Sequence, residues 1–239
     1  MANPTAAMLV IGDEILSGRT RDSNLHHLAQ ELTRIGITLC EARVVADDHA
    51  DIVAAVRALS AGHDHLFTSG GIGPTHDDIT ADAVAAAAGV PISHRPDAMA
   101  LLQAHYDRAG LPFNDARQRM ARIPDGAVLI DNPVSTAPGF TLGNVHVMAG
   151  VPNIFEAMLA GLLPRLTGGA PLLSQTLRVL RGEGEIATAF GALAAQYPDL
   201  SMGSYPFVQQ GAHGTNLVVR GTNPARLDEA MLRLTRLFG

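Results

Sequence analysis

A glycine-rich segment constrains the fold of this chain more than any other feature of its sequence. The segment reads Ser69-Gly70-Gly71-Ile72-Gly73-Pro74-Thr75-His76-Asp77-Asp78. It follows an apolar run over residues 65–68, which predicts a buried strand, and precedes residues 79–89, which predict an alanine-rich helix. Apolar runs and amphipathic stretches alternate in the same way along the first half of the chain. This pattern is typical of a parallel sheet covered by helices on both faces.

The glycine segment is a candidate phosphate site. Backbone N–H groups of a glycine turn approach an anion closely, and the N-terminus of the following helix favours negative charge. Asp77 and Asp78 would repel a phosphate unless a divalent cation lies between them, and no lysine or arginine lies between Thr68 and Val90. The segment therefore suggests a metal-bridged phosphate or pyrophosphate. The alternative is a tight turn in which Asp78 only caps the helix.

The two common phosphate loops do not match this segment. No Lys-Ser/Thr pair follows the glycines as in a P-loop, and His76 stands where the Gly-x-Gly-x-x-Gly fingerprint has its last glycine. A nucleoside-triphosphate motor and a plain dinucleotide dehydrogenase are thus disfavoured. The sequence also lacks a Gly-x-Ser-x-Gly elbow and the paired-histidine spacing of a zinc site.

Three predicted strands end in polar loops. The strands cover residues 6–11, 37–45 and 66–68, and helices are predicted over residues 24–35 and 51–60. In an open α/β sheet, ligands bind where the strand order reverses, beyond the carboxyl ends of the strands. We expect the loop carboxylates to converge there: Asp13, Glu14, Asp47, Asp77 and Asp78.

The remaining chain predicts a second, smaller domain. Residues 96–109, 113–123 and 153–166 predict helices, and residues 139–147 predict a strand pair that turns at Gly143-Asn144. After a linker at residues 168–171, the pattern indicates a strand (172–180), a helix (183–196), two strands (205–208 and 217–220) and a helix (224–238). The predicted fold is a three-layer α/β/α domain with a mostly parallel sheet over residues 1–167, followed by a small α+β domain over residues 171–239.

The glycine segment resembles the signature of the molybdopterin-binding domain. This domain occurs in molybdenum-cofactor biosynthesis proteins of the MoaB and MogA type, in the N-terminal part of the competence/damage-inducible protein CinA, and in the N-terminal domain of eukaryotic FAD synthases. The last two are the closer match. Residues 149–152 resemble the Pro-Gly-x-Pro turn of the family, but Ala149 stands where the family has its first proline. Further segments that resemble the CinA type are residues 11–18 with 22–24, 44–48, 114–118, 135–140 and 148–152.

The resemblance implies a metal-dependent pyrophosphatase that acts on a nucleoside diphosphate compound such as ADP-ribose or FAD. Mg, Mn, Co or Ni could serve as the divalent ion. Two alternatives stay open, namely molybdopterin binding with adenylyl transfer, and nucleotide binding without catalysis. The small domain resembles a KH-like segment of CinA, but its Gly182-Glu183-Gly184-Glu185 stretch is acidic, which disfavours RNA binding. The activities of the CinA deamidase domain and of the FAD-synthase synthase domain are not part of what the resemblance implies for this chain. A homo-oligomer is expected.

The resemblance and the glycine segment together assign candidate site residues. Asp47 and Asp78 are the catalytic candidates, and Asp77 and Asp78 are the candidate metal ligands. For Asp47 the alternative to a site role is a helix cap. For Asn24 a helix cap is the favoured interpretation, and contact with a ribose is the alternative. The candidate substrate-binding residues are Glu14, Asn24, Ser69, Gly70, Gly71, Gly73, Thr75, Ser135, Thr136 and Gly150.

Composition excludes several partners and locations. The net charge is −6 and no Lys/Arg cluster occurs, which speaks against nucleic acid and anionic membranes as partners, because such binding depends on neutralising phosphates. The single cysteine, Cys40, lies in an apolar run and predicts a buried structural thiol. The N-terminus lacks a signal-peptide pattern and no run of 18 apolar residues occurs, so we expect a cytoplasmic protein.

Overall fold

The computed structural model describes residues 3–209 and 211–239 and divides the chain into two compact units. The first unit is Met1–Gly169 and the second is Ala170–Gly239, so the boundary falls inside the predicted linker. Met1 and Ala2, with which the predicted first domain begins, lie outside the described residues.

A mostly parallel sheet forms the centre of the first unit. Its strands are β1 (Thr5–Ile11), β2 (Thr38–Val45), β3 (His65–Ser69), β6 (Val128–Ile130), β7 (Gly139–Leu142) and β8 (Val145–Met148). A separate antiparallel pair consists of β4 (Ile92–His94) and β5 (Arg122–Pro124). The order in the large sheet is β2-β1-β3-β8-β7-β6, and β7 is antiparallel to both of its neighbours. The predicted hairpin at Gly143-Asn144 is therefore confirmed.

Helices cover both faces of this sheet. They are α1 (Asp13–Leu16), α2 (Asn24–Arg34), α3 (His49–Gly62), α4 (Thr80–Ala88), α5 (Pro96–Ala109), α6 (Asp115–Gln118) and α7 (Pro152–Leu162). Strand β1 is buried on both sides: Leu9 packs in the core with α3, α4 and α5, and Met8 packs in the core with α2 and α7. Alternate strand residues point to opposite faces, so one strand serves both cores. The predicted three-layer α/β/α fold is confirmed.

The second unit has the predicted β-α-β-β-α order. Its elements are β9 (Leu173–Val179), α8 (Glu183–Ala194), β10 (Ser201–Gln209), β11 (Ala212–Gly221) and α9 (Pro224–Phe238). The three strands form an antiparallel sheet in the order β10-β11-β9. Leu217 and Val219 of β11 pack with Phe190 of α8 and Leu234 of α9 in a core of their own.

Two local predictions were wrong. Residues 113–123 are not one helix, because α6 ends after a single turn and a short 3-10 helix (Arg119–Ala121) leads into β5. Pro124 disfavours helical backbone at the residue before it, which agrees with an extended Ile123. Cys40 is exposed rather than buried, because it lies on β2 at the edge of the sheet. Among the described residues, no helix is long and apolar enough to cross a membrane.

Candidate functional site

A cleft of about 600 Å³ lies at the carboxyl ends of the parallel strands. The chain leaves β1 toward β2 on one side, and β3 lies on the other side of β1. Ligands of open α/β sheets bind at such a reversal of strand order. The loops that follow β1, β2, β3 and β8 all reach this cleft, through Gly12, Asp47, Gly70 and Gly150 respectively.

The glycine loop has a backbone that only glycine adopts easily. Gly70 and Gly71 have φ values of 110° and 67°. A Cβ atom on Gly70 would lie 2.2 Å from the carbonyl oxygen of Ile11, and one on Gly71 would lie 2.1 Å from Thr80 Oγ1. The buried Thr80 hydroxyl donates to the Gly70 carbonyl over 3.0 Å, and the Thr80 amide donates to the Gly71 carbonyl over 3.0 Å. These contacts hold the loop against the first turn of α4.

Asp78 closes a turn inside the loop and does not cap α4. Its Oδ2 accepts hydrogen bonds from the Thr75 amide at 2.8 Å and from the Thr75 hydroxyl at 2.6 Å. Arg119 donates to the Asp78 main-chain carbonyl from Nε and Nη2, both at 3.3 Å. The cap position of α4 is Ile79, whose side chain makes no capping bond. The alternative in which Asp78 is only a helix cap was therefore wrong.

Asp47 lines the cleft and lies near other carboxylates. Its Oδ2 accepts a hydrogen bond from the Asp13 amide over 2.9 Å. Burial raises the pKa of Asp47, and the negative charges of Asp13, Glu14 and Asp77 raise it further, against the lowering effect of that hydrogen bond. The helix cap of α3 is the next residue, Asp48, which accepts from two backbone amides. Asp47 is thus free of the capping role that the sequence left open.

Asn24 joins the loops that follow β3 and β8. Its Nδ2 donates to Ser69 Oγ and to the Gly150 carbonyl, each over 2.8 Å. Asn24 is only 5% exposed and is the first residue of α2, but its side chain does not cap that helix. The favoured interpretation of Asn24 as a cap was therefore wrong.

The loop after β6 also lines the cleft, through Asn132, Ser135 and Ala137. Asn132, which is 2% exposed, donates to Ser135 Oγ and to the Ala137 carbonyl, and its Oδ1 accepts from two backbone amides. Thr136 has a φ of 68° and, among the described residues, is the one non-glycine residue with positive φ. Its hydroxyl lies 3.0 Å from His105 Nδ1. The strained backbone at Thr136 turns its side chain onto α5 and leaves Ser135 on the cleft.

The structure brings most of the candidate residues together. The members that line the cleft are Glu14, Asp47, Gly70, Gly71, Gly73, Asp77, Asp78, Ser135 and Gly150. Asn24 and Ser69 line a smaller pocket that adjoins it. Thr75 and Thr136 line neither, because their hydroxyls contact Asp78 and His105.

Sequence reasoning missed several residues of the site. Arg19 and Asn132 line the cleft, together with the apolar side chains of Ile72 and Met120. Asn132 precedes a proline, and this Asn-Pro pair was the available turn signal. Arg19 carries no local signal, but it places a cation in the lining of the cleft. Positive charge therefore reaches the cleft from a part of the chain remote from the glycine segment.

The acidic residues fit a divalent cation that also binds phosphate. Within the described residues, no three His, Cys, Asp or Glu side chains are arranged to hold a metal ion by themselves. Mg²⁺ commonly binds through one or two carboxylates and completes its shell with substrate phosphates and water. Asp77 and Asp78 both line the cleft, and Asp77 is close enough to raise the pKa of Asp47. These carboxylates suit such a shared shell, whereas a closed protein cage is not present in the described residues.

Comparisons with known proteins agree with this architecture. Residues 7–168 match the family described as a probable molybdopterin binding domain, and residues 171–239 match the middle domain of FAD synthase. A CinA-like protein of Desulfosudis oleivorans is 38% identical over 201 residues, which are 78% of this chain and 49% of that protein. The chain belongs to the CinA-type molybdopterin-binding family.

Two further relatives extend this result. A protein of Pyrobaculum calidifontis is 35% identical over 212 residues, which are 85% of this chain and 81% of that protein. The crystal structure of CinA from Thermoplasma acidophilum, described as a protein of unknown function, superposes with a TM-score of 0.63 at 35% identity. The matched region covers 68% of this chain and 97% of the Thermoplasma chain. Because this chain spans about half of the Desulfosudis relative, the family is shared but the activity of that whole protein is not transferred.

Proposed function

We propose that the first unit hydrolyses the diphosphate linkage of a nucleoside diphosphate compound such as ADP-ribose or FAD. The observation that supports this proposal is the lining of the cleft. It combines the glycine loop with Asp47, whose pKa is raised, and with further acidic side chains. Backbone amides of a glycine loop suit phosphate oxygens, and acidic residues beside them suit a cation that binds the same phosphates. The cleft volume of about 600 Å³ lies within the range typical of small-molecule sites.

Asp47 is the candidate general base. Its raised pKa moves the carboxylate toward the range in which a base is effective at neutral pH. In the proposed step a water oxygen bonds to one phosphorus, the proton of that water passes to Asp47, and the bond from phosphorus to the bridging oxygen breaks. ADP-ribose would give AMP and ribose 5-phosphate. Glycine-loop amides and Arg19 would stabilise the negative charge on the phosphoryl oxygens. A bound divalent cation would neutralise the diphosphate and lower the pKa of the attacking water.

The test compares two neighbouring carboxylates. ADP-ribose and FAD are incubated with the protein and Mg²⁺, Mn²⁺, Co²⁺ or Ni²⁺, or with excess EDTA, and the monophosphate products are separated by chromatography. We expect turnover that EDTA abolishes, and a loss of about 100-fold in Asp47→Asn, as is typical for a general base. Asp48→Asn is the matched control, because its oxygen can still cap α3 and it does not line the cleft. Equal turnover in both variants would contradict the assignment of Asp47.

Molybdopterin binding is the second candidate, because the matched family is described by that ligand. Pterin fluorescence that copurifies with the protein, without hydrolysis of either dinucleotide, would support it. Tight nucleotide binding without any turnover would instead support a non-catalytic role.

A further inference from the structure

One face of the sheet in the second unit lies opposite to its two helices. In β11, Leu217 and Val219 point into the core that α8 and α9 cover. Side chains of a strand alternate between the two faces, so residues 214, 216, 218 and 220 point to the other face, together with the β9 and β10 residues that pair with them. We call this the open face. Among the described residues of the unit, α8 and α9 are the helices and both pack on the core side, so no helix of the unit covers the open face.

Two aromatic rings of β10 lie on the open face. Tyr205 pairs with Asn216, and Phe207 pairs with Gly214. The Phe207 ring lies at Gly214, where an added Cβ atom would come within 2.3 Å of it, and the Tyr205 ring lies at Gly203, within 3.2 Å of such an atom. Tyr205 is 46% exposed. The two glycines thus leave the room that the rings occupy, and Tyr205 remains accessible to a ligand.

Two arginines that are distant in the sequence meet these rings. The guanidinium carbon of Arg178 lies 3.9 Å from the centre of the Phe207 ring, and that of Arg220 lies 5.8 Å from the centre of the Tyr205 ring. Arg178 also donates to Gln209 Oε1 over 2.6 Å. Within the described residues, no ion pair involves either arginine. The three strands contain no Asp or Glu, so both positive charges are available to an anion.

The charge of the second unit differs from that of the whole chain. Residues 1–169 contain 11 arginines and 18 acidic residues, whereas residues 170–239 contain six arginines and five acidic residues. The net charge of −6 therefore comes from the first unit. The five acidic residues of the second unit lie on α8, on α9 or in the loop between α8 and β10. The argument from net charge against nucleic acid thus does not extend to the open face.

We infer that the open face binds single-stranded nucleic acid. One base stacks on Tyr205 and the next on the pair of Phe207 and Arg178, because bases stack on aromatic rings and on guanidinium planes. The two rings are two residues apart on one strand, a spacing of about 7 Å, so each takes a base of its own. Arg220 neutralises a phosphate beside Tyr205. A duplex keeps its bases paired and offers none to these rings. This site goes beyond the proposed hydrolysis, which concerns the first unit.

Fluorescence anisotropy with labelled oligonucleotides tests this surface. The full chain is titrated against uridine RNA, thymidine DNA and a duplex, each of about 12 nucleotides, a length within the range of single-strand sites. Excess EDTA removes the cation with which the cleft of the first unit would hold a phosphate. We expect both single strands to bind more tightly than the duplex, with an affinity that falls as salt is added. A preference for RNA and equal binding of RNA and DNA both support the inference, and the former adds a contact to the 2′-hydroxyl.

Paired variants separate stacking and charge from general effects. Tyr205→Leu keeps an apolar side chain but lacks the ring, so binding should weaken about 10-fold to 100-fold, whereas Tyr205→Phe should bind as the parent does. Arg220→Gln should weaken binding and reduce the slope of log affinity against log salt by about 0.7, as the loss of one phosphate contact predicts. Arg236→Gln removes the same charge from an exposed position of α9, on the other side of the sheet, and should change neither. Thermal unfolding checks that each variant folds.

Several results would overturn the inference. They are a parent that binds no single strand or prefers the duplex, equal affinities of Tyr205→Leu and Tyr205→Phe, and equal losses in Arg220→Gln and Arg236→Gln. Displacement of the oligonucleotide by ADP-ribose would place it in the cleft of the first unit and would also overturn the inference. If sedimentation shows a dimer that Tyr205→Leu dissociates, and no oligonucleotide binds, the open face is an interface between copies of the chain instead. Hydrolysis enters none of these measurements, so the proposed function stands or fails separately.

Discussion

Replacing Gly71 by alanine should destabilise the first unit through the buried hydroxyl of Thr80. A residue other than glycine at a φ of 67° costs about 1–2 kcal/mol. The added Cβ would also lie 2.1 Å from Thr80 Oγ1, far inside the usual contact distance of about 3.5 Å. The hydroxyl must move, and the buried Gly70 carbonyl then loses its donor at a cost of about 1–3 kcal/mol. The expected loss in free energy of unfolding is therefore about 2–5 kcal/mol.

Gly143→Ala isolates the backbone part of this cost. Gly143 has a φ of 58° in the β7–β8 hairpin, and a Cβ there would meet no atom within 4 Å. In urea unfolding, Gly71→Ala should lose about 1–3 kcal/mol more free energy of unfolding than Gly143→Ala, because only Gly71→Ala displaces the Thr80 hydroxyl.

A double-mutant cycle with Thr80→Ala tests the assigned cause. Without the hydroxyl there is no bond to the Gly70 carbonyl for Gly71→Ala to break, so the double variant should be more stable than the sum of the single effects by about 1–3 kcal/mol. A Gly71→Ala variant no less stable than Gly143→Ala would refute the reasoning. Strict additivity in the cycle would refute it as well.

Two further predictions concern charge. Asp78→Asn should lower turnover about 100-fold with little loss of stability, because asparagine retains an oxygen that accepts from Thr75; unchanged turnover of ADP-ribose would contradict a catalytic role. Burial lowers the pKa of His146 from 6.5 to about 3, with smaller contributions from His65 and Arg165. As the pH falls, this histidine therefore binds a proton in the unfolded chain before it does so in the folded chain. Its contribution to stability is full above about pH 6.5 and is lost as the pH drops toward 3. The loss at pH 5 is about 2 kcal/mol, and urea unfolding of His146→Gln should show a shallower pH dependence than the parent, whereas equal slopes would contradict the assignment.

The sequence predicted those parts of the fold that depend on local pattern. The core strands β1 and β3 are apolar runs, and Gly89 ends α4 in a left-handed conformation, as a helix-terminating glycine does. The three-residue strands β4, β5 and β6 were not predicted. Strands β4 and β5 pair with each other and β6 pairs with β7, and a run of only three residues carries no reliable periodicity.

The candidate site shows the same division between local and distant causes. Convergence of the acidic loops follows from strand order, and a parallel sheet makes it predictable. The role of Asn24 depends on Ser69 and Gly150, which are 45 and 126 residues away, and no local pattern reports such contacts. Asp47 and Asp48 are chemically equal in the sequence. Only the extended backbone of Asp48, with φ −110° and ψ 129°, decides which of them caps α3.

This division of roles between Asp47 and Asp48 bears on how a cation and a nucleotide would meet in the cleft. Asp48 satisfies the amides of α3 and Asp47 lines the cleft, where burial first, and then repulsion by the charges of Asp13, Glu14 and Asp77, raises the pKa of Asp47. A cation would relieve that repulsion, yet the described residues offer no complete set of metal ligands. Under the proposed function, phosphate oxygens complete the shell of the cation, and the cation in turn neutralises the phosphates. Each ligand must then raise the affinity of the other by the same factor, as linkage requires.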